Sequence, residues 1–228
     1  LINGLPNITF FFFFLQARYV LANVNLAVRS GLNCVDDLLG KTAAEVFSSE
    51  IGMAFIQQDQ LVMSGQPLSQ HLELHLYQSG LLGWCVATKI PLKNGQGEVL
   101  GMAGMAVDLQ EDRMNRPNIN SKLSKVEQYI SEKFDTPIQI TELANIAGLS
   151  VSQLNRQFQN IFHLTPSQLI QKKRLDCAIE LLAQDISVTE VSVRCGYADH
   201  SAFGRKFKEL TSVSPRQFKQ QLLKLKQE

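Results

Sequence analysis

The stretch ISVTEVSVRCGYADHSAFGRKFKEL, residues 186–210, decides the reading of this chain. Val188–Cys195 is long enough for two helical turns and stops at Gly196. Glycine takes the left-handed conformation that closes such a helix without steric cost. Ser187 stands three residues before Glu190, the spacing of a capping box at the helix start. A second helix is predicted over His200–Leu210. Its apolar residues Phe203, Phe207 and Leu210 fall on one face and can pack on the first helix, which leaves the other face polar.

The same pattern stands upstream. Ile140-Thr141-Glu142-Leu143 returns as Val188-Thr189-Glu190-Val191, and Gly148-Leu149 as Gly196-Tyr197, both 48 residues later. Leu154-Asn155-Arg156-Gln157-Phe158 returns as Phe203-Gly204-Arg205-Lys206-Phe207, and Thr165-Pro166-Ser167-Gln168 as Ser214-Pro215-Arg216-Gln217, both 49 later. One residue inserted between Gly196 and Phe203 accounts for the change of offset. Agreement at a fixed spacing marks an internal repeat. Each unit reads as helix, tight glycine turn, helix: Ile140–Ala147 then Val151–Phe162, and Val188–Cys195 then His200–Leu210. In the helix-turn-helix motif the second helix enters the major groove of DNA. Thr165-Pro166 and Ser214-Pro215 place a cap and an N1 proline before the helices that follow, whereas Gln139 is a poor cap. Between the units Pro166–Ala183 reads as one helix of about 18 residues, or about 27 Å. Second helices held at its ends could reach two grooves about 34 Å apart on one face of a duplex.

Upstream of Ser121 the pattern changes. Ile8–Phe14 and Tyr19–Asn23 read as strands around a Gln-Ala-Arg turn, and the five Phe of residues 10–14 suit a strand buried on both faces. Asn25–Gly31 and Val35–Phe47 read as short helices broken at Gly31 and Gly40, and Ile51–Met63 as a longer helix ended by Gly65-Gln66-Pro67. His71–Tyr77, Trp84–Leu92 and Val99–Leu109 read as strands, the last two joined by a turn over Lys93–Gly97. Leu72, Leu74 and Leu76 alternate with His71, Glu73 and His75, as in a half-buried strand with a solvated polar face. Two His and a Glu on one strand suggest a metal only if ligands come from elsewhere, so no metal site is assigned. Residues 110–120, polar and containing Pro117, read as a linker. The domains are thus 1–109, a linker at 110–120, and 121–228.

Charge is divided between the halves. Residues 1–109 hold 5 Lys+Arg against 8 Asp+Glu, and residues 110–228 hold 17 against 13, so a polyanionic partner is sought in the second half. Cys34, Cys85, Cys177 and Cys195 show no Cys-x-x-Cys pair and no ligand spacing. They read as small buried hydrophobes in a reducing cytoplasm, with a redox-sensing thiol as the alternative. The apolar run Phe10–Leu15 is far short of the about 20 residues a membrane helix needs, and nothing around it resembles a signal peptide, so no membrane partner is expected. The chain opens on Leu1 rather than Met, which leaves an upstream segment open. No Gly-x-Ser-x-Gly, phosphate-binding loop or His-Glu-x-x-His occurs, which speaks against a sensory enzyme.

Over about Leu123–Gln220 the chain resembles the AraC/XylS family of transcription regulators. The resemblance rests on Ile186–Val191, Cys195-Gly196-Tyr197-Ala198-Asp199, Phe203–Lys208 and Ser214-Pro215. Val191-Ser192 and Tyr197 replace the family's Ile-Ala and Gly-Phe, and Ser212 or Val213 stands where a Gly is usual. The resemblance implies sequence-specific binding of double-stranded DNA. It faces Ser150, Ser152, Asn155 and Arg156 of the first unit toward DNA, and His200, Ser201, Arg205 and Lys206 of the second. Arg can bind guanine bidentately and Asn can pair with adenine. Lys172, Lys173 and Arg174 read as a solvated face of the linking helix.

The N-terminal half resembles a PAS domain. Leu5-Pro6-Asn7, Tyr19–Asn23, Leu39-Gly40-Lys41-Thr42, Gly83-Trp84, Ile90-Pro91-Leu92 and Gly101-x-x-Gly104-x-x-x-Asp108 occur in that family's order. Gln110 stands where the closing Asp-x-Thr has its Thr. The implied fold class is an α+β PAS-like domain, a five-stranded antiparallel sheet with helices. An all-α domain of seven helices with two helix-turn-helix units follows it. The implied partners are DNA, a small-molecule effector in the PAS pocket, a second copy of the chain through the PAS domain, and RNA polymerase. No haem signature is found, since Ile51–Met63 has no His. Flavin photosensors carry Asn-Cys-Arg, but Asn33-Cys34 is followed by Val35. The cofactor therefore stays unassigned, with a small apolar or aromatic effector as one reading. A PAS-mediated interaction protein with weak non-specific DNA binding is the alternative function.

Overall fold

The phenylalanine run does form a strand, β1 (Ile8–Phe14), followed by β2 (Tyr19–Ala22) around a turn in which Ala17 takes a positive φ of 54°. The structure is a computed structural model that describes residues 7–47, 49–76, 82–109, 121–184 and 186–225. Three helices follow: α1 (Val24–Arg29), the single turn α2 (Ala43–Val46) and α3 (Ser49–Met63). Then come β3 (Leu68–Leu76), β4 (Leu82–Lys93) and β5 (Val99–Asp108). The five strands make one antiparallel sheet in the order β2-β1-β5-β4-β3. The first and last strands therefore meet in the middle, in register from Ile8↔Val107 to Phe14↔Gly101.

Asn23 fixes the corner between strand and helix. Fully buried, it donates Nδ2 to Ile8 O at 2.7 Å, while its Oδ1 accepts from Phe10 N and caps α1 through Leu26 N. A buried amide with all these partners is held rather than penalised. Phe13, Tyr19, Leu26, Leu38, Val46, Val62 and Met102 bury their side chains in one core. Each full burial contributes about 1.5–3 kcal/mol.

Four local expectations are corrected. Val35–Phe47 is not a helix: only Ala43–Val46 is, because Gly40 at φ 77° reverses the chain. There Gly40 N donates to Tyr19 O and Tyr19 N to Lys41 O, so the segment is tied to β2 instead. The Phe strand is not buried on both faces: Phe13 is 1% exposed, but Phe14 is 50% exposed and stacks edge-on against Phe12. On β3 the polar face is not solvated: Glu73 is buried, as Leu72 and Leu74 are. Cys34 is exposed rather than buried.

By compactness the chain divides into one unit of residues 1–109 with 209–213 and another of residues 110–208 with 214–228. The expected linker, 110–120, lies outside the described residues. From Ser121 on, the described residues form seven helices: α4 (Ser121–Lys133), α5 (Ile140–Ala147), α6 (Val151–Phe162), α7 (Pro166–Leu182), α8 (Val188–Arg194), α9 (His200–Thr211) and α10 (Pro215–Leu225). Their caps explain their ends. Thr165 and Gln168 form a reciprocal capping box before α7, with Pro166 in the first turn. Ser214 and Gln217 bond each other's backbone in the same way before α10. Gln139 makes no side-chain cap, as its identity suggests. The box at Ser187 is only half formed: Glu190 N donates to Ser187 Oγ, but the Glu190 carboxylate turns to Arg194 one turn on, at 2.7 Å.

Candidate functional sites

The two helix pairs repeat in space as they do in sequence. Gly148 ends α5 at φ 63° and Gly196 follows α8 at φ 74°. Gly196 is the more constrained, since a Cβ there would lie 2.3 Å from the Asp135 carbonyl oxygen. The second helices bury one stripe each: Leu154, Phe158 and Phe162 on α6, and Phe203, Phe207 and Leu210 on α9. Phe203, Phe207 and Phe218 stack edge-on in a chain, with ring centres 5.4 and 5.3 Å apart.

The polar residues singled out above divide between the opposite face and the flanks of those stripes. On α6, Ser152 and Arg156 are exposed, while Asn155 is half-buried on the flank. Ser150 is exposed but engaged as the N-cap, its Oγ accepting from Gln153 N. On α9, His200, Ser201 and Arg205 are exposed, and Lys206 is half-buried. Lys208 is exposed too, and by helical periodicity it shares the outward stripe of Ser201 and Arg205. The outward polar stripe of α9 is therefore Ser201, Arg205 and Lys208, with Lys206 to one side.

The basic run on α7 is not a bare solvated face. Lys172 pairs with Asp176 at 2.7 Å, and Lys173 lies 4.0 Å from Glu127. Arg174 donates Nε to Phe134 O at 2.7 Å and Nη2 to Thr136 O at 2.9 Å, and its guanidinium lies 5.6 Å from the Tyr197 ring centre. It thus joins α7, the segment before α5 and the second glycine turn. No periodicity points to it. Burial, then the neighbouring Cys177, pushes the Cys195 thiol well above its ordinary range, which suits a structural cysteine.

In the N-terminal half a cavity opens over the sheet, lined by aromatic rings (Phe11, Phe47, Phe55) and by Asp59, Glu73, His75 and Lys89. Lys89 Nζ donates to Asp59 Oδ1 at 2.6 Å, both side chains being buried. The Lys89 ammonium lies within 6 Å of the Phe11 and Phe55 ring centres, a cation–π arrangement. Burial raises the Asp59 carboxyl above its ordinary range, and Lys89 partly offsets this. Nearby, His75 Nε2 lies 2.8 Å from Glu73 Oε2, and Gln58 Nε2 donates to Glu73 Oε1 at 2.7 Å. Burial alone would raise Glu73, but the His75 hydrogen bond and the charges of His75 and Lys89 bring it to about 2. His75, which burial alone would lower, is raised to about 9 by Cys85 and Glu73. Arg29 of α1 forms an ion pair with Asp108 at the end of β5. The lining is thus as much charged as aromatic.

Residues 143–221 match a helix-turn-helix domain family and residues 3–114 match the PAS fold. The HTH-type transcriptional activator RhaS of Enterobacter sp. (strain 638) is 31% identical over 104 residues, 45% of this chain and 37% of that protein. The HTH-type transcriptional regulator GbdR of Pseudomonas aeruginosa (strain UCBPP-PA14) is 33% identical over 100 residues, 43% of this chain and 27% of that protein. A crystal structure of a VqmA–ligand–DNA complex from Vibrio cholera is similar at a TM-score of 0.45 and 20% identity, covering 76% of this chain and 83% of that one. The chain spans well under half the length of these two curated relatives. Residues 143–221 thus carry a helix-turn-helix domain of the AraC type, and residues 3–114 a PAS fold.

Proposed function

We propose that this chain is a sequence-specific DNA-binding transcription regulator whose activity is set by a signal sensed in its PAS domain. The observation that carries the reading is the pair of helix-glycine-helix units, each offering an exposed arginine, Arg156 or Arg205, from the outward face of its second helix. Ser150, Ser152, Asn155, His200, Ser201 and Lys206 complete the proposed DNA face, to which Lys208 is added. The 17 residues of α7 give a spacer of about 26 Å, which suits two successive major grooves.

The functional division follows the domains proposed from sequence, a sensor at 1–109, a linker at 110–120 and the DNA-binding domain at 121–228. The lined cavity of the PAS unit supports a small-molecule effector. The exposure of Leu15, Val20, Leu21 and Val28 supports pairing with a second copy through this unit. Contact with RNA polymerase follows from the regulator reading. No catalysis is assigned: the named relatives are transcription regulators. Among the described residues no helix is long and apolar enough to cross a membrane. The regulator reading places the chain in the cytoplasm, with the DNA.

The test is capture. The purified chain is incubated with sheared DNA of its own genome, washed at raised salt, and the retained fragments are sequenced. A few sites sharing a motif that spans two major grooves is the expected result. Recovery of all fragments, lost smoothly with salt, would reduce binding to counterion release. It would favour an interaction protein built on the PAS unit.

A further inference from the structure

Glu73, His75 and Cys85 bring three different donor atoms to one buried point of the sheet. β3 and β4 pair with Glu73 directly opposite Cys85, and with His75 opposite Gly83. Cross-strand partners, and residues two apart on a strand, share a face. The three side chains therefore rise together, and Gly83 adds none. Their carboxylate oxygen, imidazole nitrogen and thiol sulfur all lie within 4.8 Å of one another. The sulfur is 4.0 Å from each His75 ring nitrogen. Glu73 and Cys85 are buried, at 5% and 0% exposure.

We propose that these three residues form a site for one divalent cation of the zinc class, at the wall of the PAS cavity that Glu73 and His75 line. A thiolate, an imidazole and a carboxylate are the donor set of a borderline cation, bound at about 2.3, 2.0 and 2.1 Å respectively. A tetrahedral shell with those bond lengths needs donors about 3.4–3.6 Å apart. The observed 2.8 and 4.0 Å separations bracket that value. Small side-chain rotations bring all three to it. Glu73 and the Cys85 thiolate supply two negative charges against the cation's two positive ones, and the protons of the thiol and of the ligating His75 nitrogen leave to solvent. Asp59 and Lys89 close on each other at 2.6 Å and leave that balance unchanged.

A second observation points the same way. Gln58 holds Glu73 Oε1, so a cation would take Oε2 in place of its contact with His75 Nε2, and the buried Oε1 of Gln58 has no hydrogen-bond partner among the described residues. A buried carbonyl left unsatisfied is destabilising, and a water on the cation's fourth position would satisfy it. Gln58 is then a positioning residue of the kind that orients metal ligands. The inference needs neither DNA binding nor any particular effector.

The full chain, stripped with a chelator, is titrated with Co2+ as a spectroscopic stand-in for Zn2+. One equivalent should bind with a thiolate-to-cobalt charge-transfer band and tetrahedral ligand-field bands, both abolished by Zn2+. Cys85→Ser should lose the charge-transfer band, and the exposed Cys34→Ser should keep it. Gln58→Leu should weaken binding about 10–100-fold. A wild-type chain without a thiolate band, or a band that survives Cys85→Ser, overturns the site. Should Cys85→Ser fail to fold, X-ray absorption of the zinc-loaded wild type decides. One sulfur beside nitrogen and oxygen neighbours supports the site, and a shell without sulfur overturns it.

Discussion

The ring of Phe11 occupies the space that a side chain on Gly104, its direct cross-strand partner, would need. A Cβ at Gly104 would lie 2.2 Å from Phe11 Cζ. Glycine is required here by the approach of a neighbour and not by an unusual backbone angle. Gly104→Ala should push the ring out of the cavity wall and destabilise the PAS unit by about 1–3 kcal/mol, as overpacking does. Chemical denaturation measures it. Combining it with Phe11→Ala should return part of the loss, and strict additivity of the two changes would refute the account.

The two glycine turns should respond unequally to the same substitution. Gly148 has a positive φ but open space, with the nearest atom, Lys122 Nζ, 3.7 Å from a would-be Cβ. Gly148→Ala should cost about 1–2 kcal/mol. Gly196 has the same kind of backbone angle and, in addition, the Asp135 backbone at 2.3 Å. Gly196→Ala should cost several kcal/mol more clearly than the strain alone, and thermal melts of the two variants give the comparison.

Arg205→Ala should lower affinity for the captured site by about 1–3 kcal/mol and relax selectivity at one base position. Lys208→Ala should weaken all sequences alike and reduce the salt slope by about 1. Fluorescence anisotropy across a salt series separates the two roles. Identical slopes and equal losses on unrelated DNA would demote Arg205 to a phosphate contact.

Lys89→Met leaves Asp59 buried without its partner, which should cost about 3–5 kcal/mol. The double change Lys89→Met with Asp59→Leu should recover most of it, because the cost lies in the stranded charge. Urea denaturation of the single and double variants is the measurement. A double variant as weak as the single one would show that the pair holds the fold in some other way.

Glu45 gives the acid limb of stability a definite sign. Its carboxylate is held below the ordinary range first by the Thr42 backbone N–H, then by the Thr42 hydroxyl, with Arg18 beside it. A depressed carboxylate contributes stability above its unfolded value of about 4.3 and loses it as pH falls through the folded value. Glu45→Gln should flatten the stability–pH curve in that acid window and leave its shape near neutrality unchanged.

The helical half was largely legible because its signals are local. Gly148, Gly196, Thr165-Pro166 and Ser214-Pro215 each act within a few residues, and the duplication printed them twice. Boundaries failed where a distant partner decides. Val35–Leu39 has helical residues, but Gly40 and its bonds to Tyr19 override them. The polar face of β3 looked solvated because alternation gives two faces and does not say what covers each. Cys85 became relevant only when β4 set it opposite Glu73. Arg174 looked like part of a surface charge run because its acceptors, Phe134 and Thr136, are about forty residues away in sequence.

The clasp made by Arg174 bears on how the two grips would cooperate. One guanidinium holds the approach to the first unit through two carbonyls and lies against Tyr197 at the turn of the second. It touches neither outward stripe, yet it sets the phase between them. A protein geared in this way would measure the rotation between half-sites as well as their letters. Operators with the right bases at the wrong pitch would then be rejected by a residue that never meets a base.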